Sequence, residues 1–122
     1  MRYNPHRAPD PERWLALPED ERIEMVERYH RREHIRLPRP KLHAVMHVIV
    51  ENQIALGETP VVEAIPRLMG EGLSRHDALH AVAWVLAMHL SDAAATGEPV
   101  DGDAYDSEVR ALTKERWYAE AG

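Results

Sequence analysis

A chain of 122 residues, 44% hydrophobic and 30% charged, has the make-up of a single folded domain. It carries no cysteine, which excludes disulfides, thiolate metal sites and cysteine nucleophiles, and leaves nitrogen and oxygen to hold any metal. A formal charge of −6 argues against a broadly basic nucleic-acid binder. No uninterrupted apolar run nears the roughly 20 residues that span a bilayer. The expected setting is therefore cytoplasmic, with neither nucleic acid nor membrane as partner.

Residues 1–12 hold three prolines and little periodicity, which predicts an irregular arm lying over the body. After a short turn at "ERWLAL", Pro18 opens "PEDERIEMVERYHRREH", with acids in the first turn and Arg and His in the last, as a helix dipole favours. This is the predicted first helix. Ile23, Val26, Tyr29 and His30 form its apolar side, and the rest is charged and wet.

Pro38 and Pro40 end helical geometry in the residues just before them. "PKLHAVMHVIVENQIAL" then predicts a second helix, from Pro40 to about Leu56, which Gly57 can close. A third helix starts with Thr59 as N-cap and Pro60 in the first turn. Pro66 should leave it short or kinked, with Gly70 or Gly72 ending it. Ser74 with Asp77 resembles a capping box and opens "RHDALHAVAWVLAMHLSDAAATG", the fourth helix, reaching about Ala95. After the loop "GEPVDGD", the stretch "AYDSEVRALTKERWY" has the spacing of a terminal helix that brings Val109, Leu112 and Trp117 to the body. No strand pattern competes. The expected fold is all-α, a single-domain bundle of about five helices spanning 1–122. Its second and fourth helices sit at the centre because neither has a polar face.

Those two helices nevertheless carry ionisable rows. On the second, His43, His47 and Glu51 fall within a sector of roughly 80° at about 100° per residue. On the fourth, His76 and His80 share a sector with Ala83 and Ala87, whose small side chains let another helix come close. If the third helix returns the chain, the two run parallel, so that His43 faces His76 and His47 faces His80. Histidines at i and i+4 can offer imidazole nitrogens to one ion, with Glu51 as an oxygen ligand or as an acceptor behind the ligands. The candidate metal site is thus His43, His47, Glu51, His76 and His80, and a nitrogen-rich set suits divalent zinc, iron, manganese or nickel over magnesium or calcium. The alternative is a metal-free buried network in which these groups satisfy one another, within a structural or interaction module that does no catalysis.

His30 and His34 form another HxxxH pair, with Glu27 upstream, that could build a second ion site. Their charged neighbours instead predict a solvated helix end. His89 points away from the row and reads as an unrelated core histidine. "RHD" at 75–77 is a weak echo of the HD-type phosphohydrolases, and Asp77 already has a capping role. No Gly-rich phosphate loop, GxSxG elbow or HExxH occurs. Trp84 and the methionines at 46, 69 and 88 read as core packing. Charge is uneven: 28–41 holds six Lys or Arg against Glu33 alone, whereas 92–108 holds six acids and no Lys or Arg. A solvated surface accounts for this, and the expected partners, if any, are a second copy of the chain or an acidic protein meeting the basic segment 28–41.

The paired patterns HxxxHxxxENQ in "HAVMHVIVENQIALG" and RHxxxH in "RLMGEGLSRHDALHAV" resemble a bacterial family of small helical proteins catalogued as a domain of unknown function. The resemblance spans roughly 40–90. It implies that His43, His47, Glu51, Asn52, Gln53, Arg75, His76 and His80 belong to the family motif, and it implies no reaction.

Overall fold

The computed structural model describes residues 1–121, which form seven helices and no strand: α1 (Pro11–Ala16), α2 (Glu19–Arg32), α3 (Pro40–Ala55), α4 (Thr59–Gly70), α5 (Arg75–Thr96), α6 (Gly102–Ala111) and α7 (Lys114–Ala121). The all-α expectation stands, and two short helices add to the five expected. One is α1, foreseen only as a turn. Asp10 caps it by accepting from the Arg13 backbone N–H at 3.0 Å, and Pro11 pre-sets its first turn. The other comes from a break in the expected terminal helix. Leu112 is extended, with φ −64° and ψ 135°. Thr113 then restarts the chain as α7 by accepting from the Arg116 N–H at 3.1 Å. At the break the Arg67 guanidinium of α4 donates to the carbonyls of both Val109 and Leu112.

Elsewhere the boundaries follow local chemistry. Ser74 accepts from the Asp77 N–H at 3.1 Å and starts α5. Gly97, at φ +76°, ends it in the left-handed conformation that a side chain resists. The N-cap of α4 is Glu58 rather than Thr59, one residue earlier than expected. The helix runs on through Pro66, whose ring lies on its exposed side.

Two apolar clusters make the core. Tyr3, Trp14, Met25, Val26, Tyr29, Ala44 and Val48 join the arm, α1 and α2 to one flank of α3. Met46 and Val50, on the opposite flank, pack with α4, α5, α6 and Leu112. The row His43, His47 and Glu51 therefore lies in the seam between the clusters, which is why α3 needs no face for water.

The direction of α5 differs from the parallel pairing expected. Glu51, late in α3, meets Arg75 at the start of α5, while His47 reaches His76 and His80, and the His43 ring lies 4.8 Å from that of His80. As residue numbers rise on α3 they fall on α5, so the two run in opposite senses. Helix α4, of 12 residues, does not return the chain for a parallel pairing, and it packs on α3, α5 and α6. Helix α5 is also long and apolar enough to cross a membrane by length and composition alone, although polar residues interrupt its apolar run.

Candidate metal centre

Five histidines converge where α2, α3 and α5 meet. One ring nitrogen from each of His30, His43, His47, His76 and His80 lies within 4.8 Å of all the others. His47 is the hub: its Nε2 is 3.1 Å from that of His76 and 3.2 Å from that of His80. His30, His47 and His76 are buried, and His43 and His80 are half-buried.

Two of the rings have their inward nitrogen set by what lies behind them. His30 Nδ1 stands 2.8 Å from the Val26 carbonyl, which can only accept, so Nδ1 carries the hydrogen and Nε2 presents a lone pair. Behind His47 is Tyr3. Its hydroxyl donates to Glu51 Oε2 at 2.5 Å, and the hydroxyl oxygen itself lies 3.0 Å from His47 Nδ1. With the hydroxyl hydrogen spent on the carboxylate, His47 Nδ1–H is the donor and its Nε2 is left as an acceptor. Ring orientation by an acceptor behind the distal nitrogen is the usual arrangement for metal-binding histidine.

Glu51 therefore stands behind the cluster and outside it. Its side chain is fully buried, and its two oxygens take a bidentate pair from Arg75 at 2.8 and 2.9 Å. Arg75 also donates to the Pro5 carbonyl at 2.9 Å, which ties the N-terminal arm over the site. The neighbouring motif residues brace α3. Asn52 accepts from Trp14 and Arg22, each at 2.9 Å, and Gln53 accepts from the Tyr105 hydroxyl at 2.9 Å.

Burial pushes every histidine of the cluster below its ordinary value of 6.5, and the neighbouring imidazoles add to this for all but His30, where a backbone hydrogen bond opposes it. His43 and His76 fall to about 4 and His80 to about 3, and the hub His47 is well below the usual range. At neutral pH all five are uncharged, the state a metal ligand requires. Burial, and after it the Glu51 carboxylate, raises Tyr3 well above 10, so it stays a phenol.

The four central histidines expected from the sequence do come together, and His30 joins them in one cluster in place of a second ion site with His34. His34 is exposed beyond the end of α2, at φ +56°. His30 carried two opposed signals in the sequence, and Arg28, Arg31 and Arg32 tipped the expectation toward a solvated helix end. Its position one turn after Val26 on the apolar side is the signal the structure follows. Tyr3 gave no signal at all, since an irregular arm has no periodicity to read. His89 lies apart, 3.4 Å from Glu108. No family model matches the chain, and no curated protein or solved structure is significantly similar to it.

Proposed function

We propose that the protein binds one divalent transition-metal ion through His30, His43, His47, His76 and His80. Membership of the small helical family suggested by the paired motifs is part of the same proposal. The observation that carries it is the gathering of one ring nitrogen from each of five histidines within 4.8 Å of one another. Nitrogens 2.0–2.1 Å from a shared ion stand about 2.9 Å apart at right angles and about 3.4 Å apart at tetrahedral angles. The 3.1 and 3.2 Å separations at His47 fall between these.

A metal-free network accounts for the same atoms less well. His47 Nε2 has one lone pair for two neighbouring nitrogens. The Nε2 atoms of His30 and His43 are buried with no hydrogen-bond partner, a costly condition for a polar group. One cation facing these lone pairs satisfies them together. Glu51, Tyr3 and Arg75 serve by holding the hub ring, and none of the three is assigned as a ligand. Imidazole nitrogen suits iron, nickel and zinc. Five donors exceed the four that zinc takes in closed sites, which favours an ion accepting five or six ligands, nickel or iron before zinc or manganese. Such an ion would supply a Lewis-acidic centre with room for one further donor.

The test is metal analysis of protein purified without an affinity tag, beside the double variant His47→Ala, His80→Ala. We expect about one ion per chain in the wild type, with thermal stabilisation by added nickel, iron, zinc or manganese, and neither property in the variant. A wild-type chain that carries no stoichiometric metal and gains no stability from any of the four overturns the proposal in favour of the metal-free network.

A further inference from the structure

The histidine cluster is not sealed. His43 and His80 also line a cleft of about 440 Å³, within the size range of small-molecule sites. The rest of its lining is largely apolar, with Leu42 and Met46 from α3, Trp84 and Ala87 from α5, and Trp117 from α7. Among the described lining residues Arg39 is the one with a full charge. A ligand of this cleft would lie with its body between the two tryptophans and its inner end against the imidazoles.

Charge specifies that inner end. Neutral imidazoles bring no negative charge to a dication, and the buried carboxylate nearby, Glu51, is already neutralised by Arg75. A metal held by these five rings therefore keeps two positive charges in a partly buried site, and an uncompensated charge there favours an anion strongly. The cleft that His43 and His80 line is apolar, so an anion that enters through it must carry an apolar body.

We propose that the centre takes, at its remaining position, the carboxylate of a small monoanionic molecule whose aliphatic or aromatic body fills the cleft between Leu42, Trp84 and Trp117. This rests on the metal reading above and names the class of ligand that reading leaves open. Arg39 at the cleft adds positive potential that favours the same sign of ligand.

The experiment uses protein loaded with cobalt(II), whose visible absorption reports a change of ligand, and compares octanoate, acetate and 1-octanol. Octanoate should shift the cobalt absorption and alter tryptophan emission, and bind at least tenfold more tightly than acetate, since each pair of buried methylenes contributes roughly tenfold. Octanol should leave the cobalt spectrum unchanged. The variant Ala87→Trp, at an exposed position on the cleft wall, should reduce the advantage of octanoate over acetate to about threefold or less by filling the space.

Protein with one cobalt per chain that binds octanoate no tighter than acetate, or without a change in the cobalt spectrum, overturns the carboxylate proposal and leaves the metal centre standing. So does an Ala87→Trp protein with full cobalt content and an undiminished octanoate advantage. A chain that takes up no metal overturns both proposals.

Discussion

The hydroxyl of Tyr3 stands between two buried groups with opposite needs, an imidazole N–H and a carboxylate, and one oxygen serves both. Tyr3→Phe keeps the ring, which packs edge-on against His47 and Tyr29, and removes only that oxygen. The His47 Nδ1–H would then be buried without an acceptor, at a cost of about 1–3 kcal/mol of stability. The hub ring would also lose what sets its tautomer, and loss of such a partner lowers metal affinity by roughly 10–100-fold. Urea unfolding measures the first effect and competition with a chelator the second. An affinity equal to wild type would show that Tyr3 does not orient the hub. The buried Glu51–Arg75 pair belongs to the same scale. Burying two charges gains little net stability, so its contribution is geometric: it aims the carboxylate at Tyr3 and anchors the arm through Pro5.

At the scale of elements, α3 organises the molecule through three consecutive residues that point in three directions, as 100° steps require. Glu51 reaches the arm and α5, Asn52 reaches α1 and α2, and Gln53 reaches α6. Helix α5 answers with a single firm start. The Ser74 hydroxyl satisfies one amide of the first turn, the turn that carries Arg75 and His76. Ser74→Ala should cost about 1 kcal/mol, read as a lower urea midpoint with an unchanged slope. A midpoint equal to wild type would mean that water caps this helix as well as serine does. Four of the helices were legible from local signals: Pro18 ahead of α2, prolines at 40 and 60 in the first turns of α3 and α4, and Ser74 as the cap of α5. The break at Leu112 was not, because Arg67, the side chain that satisfies the carbonyls there, lies 45 residues away in sequence from Leu112.

For the whole molecule the burial of five histidines sets a pH response. In the unfolded chain these rings take up protons near 6.5, whereas in the folded protein His43 and His76 do so only near 4 and His80 near 3. Between those values the unfolded state binds more protons, so stability falls as pH falls. Above about 6.5 both states are neutral and the full stability is present. With a chelator present to keep the protein metal-free, the urea midpoint should hold steady from pH 8 to about 7, then drop steeply between 6.5 and 4. A midpoint flat across that interval would show that the rings are open to solvent in the folded protein.

Sequence alone determined that the protein is all-helical, where most helices begin and end, and that His43, His47, His76 and His80 stand in rows on two helices with no wet face. These are consequences of spacing at 3.6 residues per turn and of caps that act within a few residues. The tertiary structure decided the rest: that α5 opposes α3, that His30 completes the cluster, that Glu51 turns to Arg75 and Tyr3, and that the cluster opens onto an apolar cleft. Each depends on groups far apart in the chain. Local periodicity says which side of a helix is buried, and only packing says what that side meets.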